Sequence, residues 1–244
     1  MYKILDTGCF SYPAPNKEHT EDALLLPTYN NNDIIFAIAD GVGSSNGANQ
    51  ASEQAIKAVS DTLKQEFFTI QNCFDRAKSY INILSENKEL KDTATTLTVM
   101  QVTDSNLIIG HIGDCRAYYK KDNKLIKITK DHTRYQQLLD SGEHSIQKLR
   151  SHKSRLTSVL THALSYNADA DYDMTILPLS EIIDLNKITL ILMSDGAYHH
   201  WDKRPKFSNA TMSSPSAFSN SLRKRIQKDA SDDYTFIGVT LQVK

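Results

Sequence analysis

The sequence predicts an α+β fold, in which clustered strands pack around paired helices. Three observations predict it. Short apolar runs with the length and β-branched content of strands recur along the chain. Two helical periodicities follow one another directly after the first strand cluster. Strands and helices nowhere alternate as regular βαβ units, which argues against a doubly wound sheet.

The elements follow in order. Residues 1–12 read as a strand entering the fold, and Pro13-Ala14-Pro15-Asn16-Lys17 as a turn-rich connector. Glu21-Asp22 precede the apolar Ala23-Leu24-Leu25-Leu26, and residues 29–33 form a hairpin-type turn. Ile34 to Ala39 is a buried strand that stops at Asp40-Gly41. Ala51, Ala55, Val59, Leu63 and Phe67 then mark one face of a helix over 47–68. Phe74, Ala77, Ile81 and Leu84 do the same for 72–86. Residues 94–103 and 106–127 read as consecutive strands, the latter delivering Asp114 beside Gly113. From 134 to 165 the pattern is polar and helix-like, suited to a surface flap. Strands return at 172–178 and 188–194, the second ending in Ser194-Asp195-Gly196. His199 to Pro215 has turn composition, and Ala217 to Asp229 reads as a basic helix. Asp232-Asp233 lead into the last strand, where Ile237, Val239, Leu241 and Val243 alternate as in a half-buried strand.

Acidic residues therefore recur at the tips of apolar strands, from Glu21 to Asp233. Acids normally scatter over solvated faces, so this placement predicts that they converge. Carboxylates held together need cations, because like charges at short range cost several kcal/mol at reduced dielectric. An oxygen-only donor set selects Mg²⁺ or Mn²⁺ over zinc or copper. The expected arrangement is two such ions sharing and activating a water.

Composition sets the outer bounds. A chain of 244 residues suffices for a substantial core. Its 28 basic and 29 acidic residues point to neither nucleic acid nor an anionic membrane surface. No apolar run approaches the roughly 20 residues of a membrane span, and residues 1–6 lack a signal-peptide layout. Cys9, Cys73 and Cys115, without a Cys-x-x-Cys pair, fit a reducing cytoplasm better than disulfides or zinc. Asp40-Gly41-Val42-Gly43-Ser44 is not followed by the Gly-Lys-Ser/Thr of a nucleotide loop.

Taken together, Glu21-Asp22, Asp40-Gly41-Val42-Gly43, Ala94-Thr95-Thr96-Leu97-Thr98 and Gly110-His111-Ile112-Gly113-Asp114-Cys115-Arg116-Ala117-Tyr118 resemble the metal-dependent protein phosphatases, the type 2C serine/threonine phosphatases. Thr129-Lys130-Asp131-His132-Thr133, Ser194-Asp195-Gly196 and Asp232-Asp233-Tyr234-Thr235 continue the pattern, so the resemblance spans about Gly8 to Val243. Residues 138–164 resemble the flap of minimal bacterial members. The resemblance implies a four-layer α-β-β-α sandwich, two antiparallel sheets flanked by helix pairs. It implies one catalytic domain over 1–244, a monomer with a flap at about 134–165. Asp40 would bridge two Mg²⁺ or Mn²⁺ ions, with the Gly41 carbonyl completing one shell. Asp195 and Asp232 would hold the second ion, and Glu21 and Asp22 would act directly or through waters. Asp114, with Asp195, matches a third, more labile position. Asp233 would replace Asp232 if the register shifted by one. Lys17 stands where the family has a phosphate-gripping arginine, and reads equally as a solvated loop lysine. Val42 replaces a histidine that protonates the leaving alkoxide in many members, Ser44 the usual second glycine, and Ala94 the usual glycine before Thr95. The implied substrates are phosphoserine and phosphothreonine proteins made by a serine/threonine kinase. The competing expectation is a phosphatase-like module that binds phosphoproteins without turnover.

Other chemistry-bearing residues have plainer readings. His199 and His200 diverge, His111 is a satisfied packing residue, His132 orders the flap, and Cys115 is a small buried thiol.

Overall fold

Alternate residues of the central strands have separate destinations, and this parity builds the layers. The computed structural model describes residues 2–15, 17–43 and 46–243, so Ser44 lies outside the described residues. The strands β1 (Lys3–Tyr12), β2 (Asp22–Asn30) and β3 (Asp33–Asp40) lead to helices α1 (Ala48–Thr62) and α2 (Ile70–Leu84). Five strands follow: β4 (Ala94–Thr95), β5 (Leu97–Val102), β6 (Asn106–Ile112), β7 (Arg116–Lys121) and β8 (Lys124–Lys127). The middle holds α3 (Arg134–Ser141), α4 (Ile146–Ser151), α5 (Lys153–Thr157) and β9 (Leu164–Ser165). Next come β10 (Asp173–Pro178), α6 (Leu179–Ile182), β11 (Lys187–Met193) and α7 (Asp195–Lys203). The chain finishes through α8 (Asn209–Met212), α9 (Pro215–Ile226) and β12 (Tyr234–Gln242).

Two antiparallel five-stranded sheets result, ordered β1-β12-β11-β7-β8 and β10-β6-β5-β3-β2. In β3, Ile34, Phe36 and Ile38 enter the core between the sheets, where Leu190, Leu192, Ile237 and Val239 meet them. Ile35, Ala37 and Ala39 face the opposite way, onto α1 and α2, whose Ala51, Ala55, Phe74 and Ala77 close over them. Tyr198, Trp201, Phe218 and Leu222 of α7 and α9 cover the outer face of the first sheet. The four-layer sandwich is thus the observed architecture.

The chain passes from the second sheet to the first at Gly113-Asp114-Cys115, between β6 and β7. Gly113 has φ +106°, a conformation L side chains rarely adopt, and a Cβ there would also overlap the Thr96 side chain. The stretch 106–127 turns at 121–124 as the sequence predicts, between β7 and β8, and is broken once more at 113–115.

Three further expectations are corrected. The first helix ends at Thr62, and Phe67, assigned to its buried face, is 73% exposed. The chain must turn there to bring α2 back along α1, and Thr69 opens α2 by accepting a hydrogen bond from the Asn72 amide at 3.1 Å. The stretch 199–215 is largely helical, because Ala197, Tyr198 and Trp201 pack as one face of α7 despite the turn-like composition. Finally, β12 is buried on both faces from Tyr234 to Leu241, since it lies between β1 and β11 and under α9. No helix among the described residues is long and apolar enough to cross a membrane.

Candidate metal centre

The acidic side chains gather at one end of the inter-sheet core. Pairing of β2 with β3 sets Asp22 directly opposite Asp40, in strand parity with Leu24 and Ile38 of that core. Thr96, between β4 and β5, fixes Asp40. Its amide donates to the Asp40 carbonyl at 2.8 Å, and its hydroxyl accepts from the Asp40 amide at 2.9 Å. The Thr95 hydroxyl donates to the same carbonyl at 3.0 Å. Gly41 donates its amide to the Glu21 carbonyl at 3.0 Å, and any Cβ there would overlap the carbonyl of Ala48 as α1 begins. Glycine is therefore required at the junction.

The other sheet brings Asp195 and Asp232. Ser194 ends β11, donating its hydroxyl to Asp22 Oδ2 at 2.8 Å and accepting from the Thr235 amide at 2.9 Å. One hydroxyl thus ties β2, β11 and β12 together. Asp195 opens α7, where the helix dipole favours negative charge. A cavity of about 210 Å³ takes in Glu21, Asp40, Asp114, Asp195, Asp232 and Asp233, against the single cation Lys17.

That imbalance raises the proton affinity of the acids. Burial pushes Asp22 up to about 7, with Asp195 and Asp233 adding to the rise. Burial and then Asp232 take Asp195 to about 6. Burial and neighbouring aspartates hold Asp40 and Asp114 well above the carboxylate range, and burial also raises Asp232. Asp22 Oδ1 is buried without a hydrogen-bond donor, an expensive state for a carboxylate oxygen. Hard divalent cations fit this all-oxygen donor set. Among the described residues, no group of three or more His, Cys, Asp or Glu side chains is already arranged to hold an ion.

Asp233 and Lys17 are engaged differently from the rest. Asp233 Oδ1 accepts from the Ala14 amide at 2.7 Å, and Oδ2 from the Glu21 amide at 2.6 Å and Lys17 Nζ at 3.2 Å. Asp233 therefore pins the loop that carries Glu21, while Asp232 lines the cavity with only its Oδ1 engaged, by the Asp233 amide at 2.9 Å. Lys17 Nζ bridges Glu21 at 2.6 Å and Asp233. Burial lowers its proton affinity, but the two acids outweigh that and raise it.

The protein phosphatase 2C family model matches residues 14–231. The chain belongs to that family. It is similar to the serine/threonine phosphatase stp of Listeria monocytogenes, 28% identical over an alignment of 190 positions that covers 74% of this chain and 73% of that one. Its fold matches that of the serine/threonine phosphatase Stp1 from Staphylococcus aureus, with TM-score 0.79, 19% identity and coverage of 99% and 96%. The catalytic domain of the phosphatase PstP, solved with two manganese ions, matches with TM-score 0.72, 20% identity and 99% coverage of each chain. The chain is accordingly a hydrolase, a phosphatase of the 2C type.

Several supports of this acid cavity carried no role in the sequence reading. Thr96 and Ser194 orient Asp40 and Asp22, and the signal for them was a small hydroxyl residue adjoining each strand tip. Arg116 is buried. Its Nε and Nη2 grip Asp131 at 3.0 and 2.7 Å, Nη1 reaches Asp202 of α7 at 2.8 Å, and its guanidinium lies 3.5 Å from the Tyr198 ring centroid. His111 is the expected packing residue: Nε2 donates to the Lys130 carbonyl at 3.1 Å, leaving Nδ1 to accept from Thr98 at 2.9 Å. His132 joins both ends of the 134–165 segment, its amide donating to the Gly113 carbonyl and its carbonyl accepting from the Thr161 amide. Cys115 is fully buried, and burial keeps its thiol protonated. On α7, His199 is exposed and His200 buried, so the pair does diverge.

Proposed function

We propose that this phosphatase is a Mg²⁺- or Mn²⁺-dependent protein serine/threonine phosphatase, acting on proteins phosphorylated by a serine/threonine kinase. The observation that carries the reading is the cavity with six acids and one lysine, beneath which Asp22 Oδ1 has no donor. Asp40 and the Gly41 carbonyl would hold one ion, and Asp195 and Asp232 the other, with Glu21 and Asp22 contributing directly or through water. Asp114 with Asp195 would take a third. When bound, such ions supply a nucleophilic water of lowered pKa and offset charge on the phosphoryl oxygens.

The chain's own residues do the rest. Thr95, Thr96 and Ser194 hold Asp40 and Asp22 in fixed orientations, so little reorganisation accompanies binding. Lys17 keeps a cation at the rim, where it can meet a phosphate oxygen. Asp233 acts by holding the Glu21 loop rather than as a ligand. The whole chain serves as one catalytic domain, and 134–165 is its flap: Thr157, Ser158 and Leu160 from that segment wall the acid cavity.

Hydrolysis of p-nitrophenyl phosphate and of a phosphothreonine peptide should require Mn²⁺ and stop with EDTA. Asp40→Asn and Asp195→Asn should each cost more than about a hundredfold in kcat/KM. Activity that survives both EDTA and the double substitution would refute the assignment.

A further inference from the structure

Beyond the C-terminal end of α7, a second cavity of about 500 Å³ shares no residue with the acid site. Arg204 and Lys206 enter it from the connection after α7. Lys224, Arg225 and Lys228 enter from α9 and the turn that follows, and Phe207 contributes an aromatic wall. Among the described residues, no carboxylate lines it and none of the five cations makes an ion pair. In a chain with 28 basic and 29 acidic residues, this is a local excess with no counterpart in the overall charge.

Two helix C-termini meet here, and cations commonly offset the carbonyls at such ends. One guanidinium already does that work. Arg225 donates to the carbonyls of Arg204 at 2.6 Å, Lys206 at 3.0 Å and His200 at 3.4 Å, and lies 4.1 Å from the Phe207 ring centroid. It fixes the shape of the groove. The side chains of Arg204, Lys206, Lys224 and Lys228 take no part in those bonds, and the four residues are exposed. Four uncommitted cations around a rigid concavity are a receptor for anionic groups.

We infer that this groove docks a short acidic segment of the phosphoprotein substrate, a run of aspartate, glutamate or phosphorylated residues outside the phosphosite being hydrolysed. The substrate class rests on the phosphoprotein reading above; the groove itself does not. Its volume suits a few side chains, whereas a duplex or a membrane needs an extended basic surface. A net charge of −1 gives no long-range attraction to such polyanions. A third cavity of about 590 Å³ runs along α7 between the two sites, from Asp195 past His199 to Lys203. The nine residues of α7 rise about 13 Å, the reach of about four residues of extended peptide. The acidic run therefore lies at least about four residues from the phosphothreonine.

Two phosphothreonine peptides test this, one with a Glu/Asp run starting four to eight residues away and one with Ser/Gly in its place. A third, fluorescent peptide carries the acidic run without phosphate and reports binding by anisotropy. The wild-type chain should show a KM about tenfold lower for the acidic phosphopeptide, with kcat unchanged. Lys206→Glu/Lys224→Glu/Lys228→Glu should abolish that advantage and the anisotropy signal, while p-nitrophenyl phosphate turnover and the melting temperature stay unchanged. Should neither phosphopeptide be hydrolysed while the fluorescent peptide binds wild type and not the variant, the groove stands and the phosphoprotein reading falls. Equal KM for the two phosphopeptides with no anisotropy change overturns the groove. So does a triple variant that loses binding only to anionic vesicles or DNA.

Discussion

Buried titratable side chains carry their surroundings into the pH response of the protein, and His111 is the clearest case outside the acid cavity. Burial, and then His132, lowers its pKa to about 4 from the ordinary 6.5, and its two nitrogens are satisfied as a neutral ring. Between those values the unfolded chain binds a proton that the native state refuses. This contribution to stability is therefore full above about pH 6.5 and is lost as pH falls toward 4, by at most about 1.4 kcal/mol per pH unit. The cavity acids, with raised proton affinity, act in the opposite sense over the same range. The slope should therefore appear in the difference between wild type and His111→Gln in urea unfolding followed from pH 7 to pH 4.5. An unchanged slope in the variant would assign the effect to other groups. Next to this, the identity of each cavity acid was legible, because aspartate at the tip of an apolar strand is a local pattern. How Asp233 is engaged was not, since that depends on amides of Ala14 and Glu21 more than 200 positions away.

Among the elements, α7 shows how packing overrides composition. Its His-His-Trp-Asp-Lys stretch has few strong helix formers, yet Tyr198 and Trp201 bury against the first sheet and hold it helical. Arg116 of β7 locks this helix to the strand exit at Asp131 through three donors and an aromatic face. Burial alone would raise the pKa of Asp131, but hydrogen bonds and charge from Arg116 bring it below the ordinary value. Arg116→Met should destabilise by up to about 3–5 kcal/mol, because it leaves the buried Asp131 carboxylate with Lys127 Nζ, 3.1 Å away, as its remaining cation. Arg116→Lys should recover only part of this, as a single ammonium cannot reproduce the two-pronged grip. A loss under 1 kcal/mol, or full recovery by lysine, would show in urea titrations and contradict the role assigned to the pair. The early end of α1 has the same lesson in reverse, for the periodicity continued to Phe67 while the chain had to turn.

Taken as a body, the molecule stabilises a costly charge cluster by building it on a large core. The sheets share an interior of Ile34, Phe36, Ile38 and their partners, each worth about 1.5–3 kcal/mol on burial. That margin tolerates crowded carboxylates at the end of the sandwich. A ligand bound only by the native state adds RT ln(1 + [L]/Kd), about 2.7 kcal/mol at a hundredfold excess over Kd. The melting temperature should therefore rise with Mn²⁺ and drop back with EDTA. Asp22→Asn, which removes a buried like charge, should melt higher than wild type in EDTA but gain less from Mn²⁺. A melting temperature indifferent to millimolar Mn²⁺ would sink the metal site, and a lower EDTA value for the variant would sink the cost ascribed to Asp22.

The order of apolar strands, the acids at their tips and the glycine at position 41 are local properties, so the residues themselves were enough to specify an α+β chain whose acids converge at one end of the core. Contacts across long separations had to be folded to be seen: Ser194 on Asp22, Thr96 on Asp40, Asp233 on the Glu21 loop, and the meeting of Arg204 and Lys206 with α9. Periodicity records which way a side chain points within its own element. It holds no information on which other element will stand opposite, because that is settled by the joint packing of both sheets and the helices over them.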